Sequence, residues 1–292
     1  EDFFSIWQTS KLAQSYEIAC AQCGVVRDLI ENYYTLFRVD SQEIEREKRI
    51  QDGLEKFHLD SVRRKPSGDM RIFVYLHERD ENTAISVILT PTATAQSIVE
   101  HIISNHCKRS GDNLSLHEVI LGKHLERPLF PSERVVETVL RWSIWEEDEK
   151  RTNYLILKKN TLYPALLPFT KDSAPVYGEF KYVDSKSKSY RKYAFEFSGA
   201  KLKQYKDTKT TNELESWKIE DIIWYIGHEV KRVPPTRFNF TFIPRTYDFK
   251  RSKDEPYFGN VVSVNTLEEL HKFIAAMIVG EHPEGLYPPV IL

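Results

Sequence analysis

From about residue 175 the chain breaks into short alternating runs, and this texture constrains the fold more than any other feature. The runs are "VYGEFKYV", "YRKYAFEF", "AKLKQYKD", "SWKIEDIIWYIG", "RFNFTFI" and "YFGNVVSV", with turn-rich joins such as "SGA", "PPT" and "DEP" between them. Apolar residues at period two turn one face of a strand to a core and the other to water, and Gly, Pro and Asp end each run. One helix, "TLEELHKFIAAMIVGEH", closes the series, with Thr266 as N-cap and Glu269 three residues later completing a capping box. Strands followed by a single helix describe a small barrel plugged by that helix. Trp217 and Trp224 fall on strands as core or edge aromatics.

The stretch from about 70 to 159 has a different rhythm. "MRIFVYLHE" and "AISVILT" read as a β-hairpin. "TATAQSIVEHIISNHCKR" reads as an amphipathic helix capped by Thr94, with Ile98, Ile102 and Ile103 inward. The strand "LSLHEVIL" follows, then a short extended piece, a helix from Ser132, and a last strand "NYLILKK". The order ββαββαβ is that of a ubiquitin-like β-grasp domain, so the fold class expected is α+β. Residues 10–58 read as helix: Val25, Val26, Leu29, Ile30, Tyr33 and Phe37 share one face. A thinner stripe of Ile44, Ile50, Leu54 and Phe57 follows, and "RRKPSGD" at 63–69 breaks it.

With 41 % hydrophobic and 29 % charged residues over 292 positions, the chain has room for two ordinary cores. No apolar run approaches the roughly 18–20 residues that span a bilayer. The start, "EDFFSIWQTS", lacks the basic flank and cleavage site of a secretory signal, and the missing initiator Met suits a piece of something longer. Cys20 and Cys23 form a C-x-x-C with no second pair or His cluster, and Cys107 stands alone, so no metal site is expected. No P-loop, Ser-His-Asp set or zinc cluster offers a chemistry, and no cofactor is expected. Formal net charge is −2, so no global field draws the chain to nucleic acid or membrane. Locally the balance differs: residues 181–209 hold nine Lys and Arg against three acids, an excess of six positive charges.

Several stretches resemble one family. Gly178, Phe180 and Tyr182 form a "G-x-F-x-Y" before the basic loop, which resembles a pleckstrin-homology (PH) domain, and the β-grasp module resembles a Ras-associating (RA) domain. "LERPLFPSERVVETVLRW" looks like the second half of the RA domain in the ARAP family of Arf/Rho GTPase-activating proteins. "SWKIEDIIWYIGHEVKRVPPTRFNFTFI" looks like that family's final PH domain, with Trp217, Ile219, Tyr225, Gly227, Lys231, Pro234, Pro235, Thr236, Phe240 and Thr241 in register. "VVRDLIENYYTLFRVDSQEI" resembles the last helix of its RhoGAP domain running into a linker. The resemblance implies RhoGAP-like helices over 1–40, a linker helix over 41–69 and an RA domain over 70–160. A linker over 161–174 then leads to a PH domain over 175–285, a seven-strand barrel capped by the C-terminal helix. The arginine finger of a RhoGAP domain lies in an early loop, so this stretch is expected to catalyse nothing.

The resemblance also implies sites. PH domains that hold inositol phosphates use a Lys at the end of the first strand and basic-x-Arg early in the second, where charge-assisted hydrogen bonds grip phosphate. Lys181 and Arg191 take those places, Tyr193 stands where the Arg is expected, and a phenol cannot chelate as a guanidinium does. Lys186, Lys188, Lys192, Lys201 and Lys203 would add to the cradle. RA domains pair strand two with the edge strand of a Ras-like GTPase in its GTP state, and basic residues meet acidic switch residues. Arg71, Arg79, His101, Lys108 and Arg109, with Ser86 on strand two, are the candidates. The expected role is a monomeric targeting region, cytoplasmic and recruited to the plasma membrane, that binds phosphoinositide-containing membrane and a Ras- or Rap-family GTPase, with no nucleic acid. The alternative is a structural or autoinhibitory RA–PH module without its own lipid ligand. A third reading, an RA–PH adaptor like those of the Grb or lamellipodin families, is opposed by the RhoGAP-like first 40 residues.

Overall fold

The structure, a computed structural model, describes residues 44–46, 48–50, 70–76, 83–106, 113–120, 124–143, 152–170, 175–209, 212–245 and 256–282. The chain forms two compact units, Glu1–Ser67 and Gly68–Leu292. In the first, residues 44–46 and 48–50 are helical, with Ile50 buried and Ile44 exposed. At 100° per residue these two isoleucines point to different sides of a helix, so they do not share one apolar stripe. The RhoGAP-like reading of residues 1–40, and all three cysteines, lie outside the described residues.

In the second unit, the hairpin β1 (Arg71–Leu76) and β2 (Ile85–Ile88) leads into α1 (Ala95–His106). Thr94 caps α1 reciprocally: its Oγ1 accepts from the Ser97 amide at 3.2 Å, and Ser97 Oγ accepts from the Thr94 amide at 3.0 Å. The helix buries Ala95, Ile98, Val99, Ile102 and Ile103, the 3.6-residue face read from the sequence. β3 (Leu114–Ile120), β4 (Leu125–Pro128), α2 (Val135–Ser143) and β5 (Tyr154–Lys159) complete this half. α2 begins at Val135 rather than Ser132, because residues 130–134 are spent on a turn: the Glu133 amide donates to Phe130 O, and Arg134 bridges to Thr94. β5 enters beside β1 in parallel, Val74 opposite Leu155, while the other ladders are antiparallel. The resulting order β2-β1-β5-β3-β4 is the β-grasp arrangement.

Between the halves, where a linker is expected, α3 (Leu162–Leu166) and a 3-10 turn (Leu167–Phe169) occupy part of 161–174. Tyr163 and Leu166 are buried in the second core, which gives this stretch a packing role. β6 (Val176–Val183), β7 (Arg191–Ser198), β8 (Lys201–Tyr205) and β9 (Glu213–Lys218) form a meander. β10 (Ile222–Gly227), β11 (Phe238–Pro244) and β12 (Asn260–Val264) follow, and β12 returns to pair with β6. α4 (Leu267–Glu281) carries the predicted capping box of Thr266 and Glu269 and buries Phe273, Ile274, Met277 and Ile278 among residues of β6, β7, β8, β10, β11 and β12. Trp224 lies in that core and half-buried Trp217 packs against it, edge-on to Phe242. Gly178 explains the "G-x-F-x-Y" pattern: the Phe180 ring lies over it, and a Cβ there would sit 1.9 Å from Phe180 Cζ.

The two halves share one twelve-stranded sheet, ordered β2-β1-β5-β3-β4-β10-β11-β12-β6-β7-β8-β9. The seam is β4 against β10, Glu126 opposite Ile226 and Leu125 opposite Gly227. Gly227 has φ +107°, and a Cβ there would stand 2.0 Å from His124 O, so only glycine lets the strands approach. Phe130, just beyond β4, inserts into the core of the second half, edge-on to Tyr163.

Behind the seam lies a buried polar network. Glu118 of β3 is fully buried. Its carboxylate accepts from Arg127 Nε at 2.6 Å, from Trp142 Nε1 at 2.7 Å and from Tyr225 OH at 3.3 Å, with Arg141 at 3.6 Å. Arg127 also donates to both carboxylate oxygens of Glu133, at 3.0 and 2.5 Å. Burial would raise the Glu133 pKa, but Arg127, with Arg141 and Arg245 nearby, holds it at about 2. Against an unfolded value of 4.5, this ionised carboxylate stabilises the fold fully above that value and loses its contribution as pH falls towards 2. Glu118→Ala should cost about 3–5 kcal/mol, because Arg127 Nε, Trp142 Nε1 and Tyr225 OH lose their buried acceptor, measured by urea unfolding at neutral pH. Glu133→Gln should flatten the acid limb of stability between about pH 4.5 and 2 relative to the parent chain.

Candidate functional site

β2 ends the sheet on one side. The Leu89 amide donates to Met70 O at 2.8 Å. Since antiparallel pairs alternate, Ile85 and Val87 turn their main chain to β1, while Ser86 and Ile88 turn theirs to the open edge. On the β1–β2 hairpin, Ile72, Val74 and Val87 point into the core, and Arg71, Phe73, Ser86 and Ile88 point the other way. Phe73 is 58 % and Ile88 51 % exposed. Arg71 stands opposite Ile88, and Ser86 opposite Phe73. Two predicted residues therefore share one face with two exposed apolar side chains, beside a main-chain edge that pairs with no second strand among the described residues. His101 lies exposed on α1 with its Nδ1 3.3 Å from Asn105 Nδ2. Arg79, Lys108 and Arg109 lie outside the described residues.

The β6–β7 hairpin divides the predicted cradle by register. Lys181 is opposite Lys192, whereas Arg191 is opposite Tyr182 and Tyr193 opposite Phe180. Phe180 and Tyr182 are core residues, so Arg191 and Tyr193 extend the inward face towards the mouth of the strand assembly, and Lys181 and Lys192 lie on the outward face. Lys192 forms an ion pair with Glu179 on that outward face. Lys203, opposite Glu196 in the β7–β8 ladder, is 3.5 Å from its carboxylate and donates to Ser198 Oγ at 3.1 Å. Lys201 is exposed and opposite Lys218 on β9. Tyr193 packs edge-on against Tyr182 at 5.8 Å. Glu215, opposite the buried Gln204, has its pKa raised by burial and by Asp184.

The tip, 184–190, carries Lys186 and Lys188 in the open. Asp184 Oδ1 accepts from the amides of Lys186 at 2.9 Å and Ser187 at 2.7 Å, which curls the loop. Ser185 N donates to Asn260 Oδ1 at 3.1 Å. The principal anchor is Arg232, from the β10–β11 loop. It is buried, donates to Ser187 O and Asp184 O at 2.6 Å each, and lies over the Tyr257 ring, 3.9 Å from its centroid. Burial lowers its pKa, opposed by Tyr190, Glu229, Tyr257 and Asp184. Burial likewise pushes the neighbouring Tyr190 up to about 12.

No family model matches the chain. It is 24 % identical over 288 residues to Arf-GAP with Rho-GAP domain, ANK repeat and PH domain-containing protein 2 of Mus musculus, which covers 96 % of this chain. It is 26 % identical over 229 residues to protein 3 of that series from Homo sapiens, covering 75 % of the chain. The chain resembles the RA–PH region of the ARAP family. It spans 16 % of the length of the mouse relative and 14 % of the human one. The crystal structure of the coiled-coil, RA and PH domains of lamellipodin shares the fold: its TM-score is 0.57 at 14 % identity, and the match covers 77 % of this chain and 92 % of that one.

Three features lie beyond the resemblance to the ARAP family. Phe73 and Ile88 look like core residues until the edge position of β2 is known. Glu118 leaves a legible mark, a lone acid at an inward position of the apolar strand "LSLHEVIL". Arg232 leaves none, since its run "HEVKRVPPT" reads as a polar loop. Replacing Arg232 by Ala should remove the donors to two loop carbonyls and lower stability by about 1–3 kcal/mol. Amide hydrogen exchange should rise at residues 185–189 and stay unchanged in β1–β5.

Proposed function

We propose that this chain is the non-catalytic docking region of a GTPase-activating protein, engaging a GTP-state Ras- or Rap-like GTPase at the β2 edge and an anionic, phosphoinositide-containing membrane at the β6–β7 tip. The observation that carries it is the β2 edge. Main-chain groups at Ser86 and Ile88, turned away from β1 and unpaired with any other strand among the described residues, are flanked by Phe73 and Arg71 and suit addition of a partner strand with apolar and charged contacts beside it. Arg71 meets the acidic switch residues of such a partner and speeds the encounter. The membrane part rests on exposed Lys186 and Lys188 of the β6–β7 tip, on Arg191 at the start of β7, and on the resemblance to a PH domain. Because Lys181 and Arg191 stand on opposite faces, the attraction is to phosphate-bearing surface rather than to one fully chelated headgroup. The chain would act as a monomer in the cytoplasm, recruited to the plasma membrane, and its parent would supply the catalytic step.

A second reading, a structural or autoinhibitory module without a lipid ligand, draws on the pairing of Lys192 with Glu179 and of Lys203 with Glu196. Titration against Ras-family GTPases loaded with a GTP analogue or GDP tests the main reading. Preference for the GTP form is expected, with Ile88→Glu plus Arg71→Glu weakening it about tenfold or more at unchanged thermal stability. Equal affinity for both nucleotide forms, or variants that bind as the parent does, would overturn the GTPase assignment.

A further inference from the structure

The turn between β10 and β11 is built inside out. Glu229 is 5 % and Arg232 3 % exposed, whereas Val230 is 60 % and Val233 87 % exposed. The Arg232 amide donates to Glu229 O at 2.9 Å and closes a tight turn. Both polar side chains are committed inward: Glu229 accepts from the Phe258 amide at 2.8 Å, and Arg232 holds Asp184 O and Ser187 O. The valines have no such place and project outward with Lys231 between them. A loop selected only for solubility would have the opposite polarity, since isolated exposed apolar residues are common but a paired inversion of this kind is not.

The tip is also stiff. Pro234 and Pro235 fix its backbone, and Thr236 ties its end to β12, with Oγ1 donating to Val264 O at 2.6 Å. Arg232 places it against the β6–β7 loop, so Val230 and Val233 stand on the same rim as exposed Lys186, Lys188 and Lys231. Exposed small apolar side chains on a preordered turn, with Lys231 on it and Lys186 and Lys188 on the adjoining loop, match one partner chemistry: an anionic bilayer, whose headgroups take the cations while the acyl boundary takes the apolar groups.

We propose that Val230 and Val233 form a membrane wedge that inserts beside the basic β6–β7 loop. This rests on the membrane part of the function proposed above and adds the apolar contact and its residues. The lysines supply a screened, salt-sensitive attraction, and the valines a salt-insensitive one. The tight turn means that little conformational freedom is lost on insertion.

The test is co-sedimentation of the full 292-residue chain with phosphatidylcholine vesicles containing phosphatidylserine and a polyphosphoinositide, at about 0.1 M and about 0.5 M salt. Because both valines are exposed, Val230→Ser with Val233→Ser should leave thermal stability unchanged. It should weaken binding about tenfold at both salt concentrations, and Val233→Trp should strengthen it. Lys186→Glu with Lys188→Glu should instead abolish most of the salt dependence. Valine variants that bind as the parent does, while the charge reversal loses binding, would remove the wedge and leave the membrane reading standing. The same indifference to the valines is what a turn serving a protein partner would show. Failure of both the parent chain and Val233→Trp to bind any vesicle would overturn the two together.

Discussion

A carboxylate sealed from water must be matched or the fold fails, and Glu118 is the point where this chain meets that demand. Removing an ion from water costs several kcal/mol, returned only by close partners of good geometry. The partners come from separate elements: Arg127 from β4, Trp142 and Arg141 from α2, and Tyr225 from β10. The first three belong to the β-grasp half and the last to the second half. The site is therefore complete only when the two halves are assembled, and it fixes how they meet. The β4–β10 ladder and the Phe130 insertion then follow as the backbone and apolar sides of the same junction.

The basic excess of the second half is distributed rather than pooled. Strand alternation sends Lys181 and Lys192 to one face and Arg191 to the other, and Lys192 and Lys203 are met by Glu179 and Glu196. The exposed Lys192–Glu179 pair contributes little to stability, but both pairs subtract from the field seen by an approaching anion. What remains concentrated is the rim formed by the β6–β7 tip and the β10–β11 turn, which Arg232 joins by main-chain contacts.

Much of the fold is legible because local periodicity carries it. The alternation in "YRKYAFEF" sets Phe195 and Phe197 on one face, and both lie in the core; the Thr266–Glu269 box marks the start of α4 correctly. The site is less legible because its features depend on partners far away in the chain. Strand alternation puts Arg191 and Tyr193 on the same face as Phe195, but which face Lys181 takes depends on the β6–β7 register, and that is set across the hairpin. The seam between β4 and β10 joins positions about a hundred residues apart, and no local pattern announces such an edge-to-edge pairing. The expected linker at 161–174 conceals α3 for a related reason: Tyr163 and Leu166 read as a short apolar scatter until the core they fill is known.

The continuous sheet has a directional consequence. Two domains on a flexible tether can meet their ligands at any mutual angle, and the tether sets only a local concentration. Here the β2 edge and the β6–β7 tip belong to one twisted surface whose strand-to-strand rotation has a fixed hand. A protein strand added at β2 would therefore arrive at one bearing relative to whatever the tip rests on. The sheet acts as a protractor, and it would select among partners by the angle at which they present themselves.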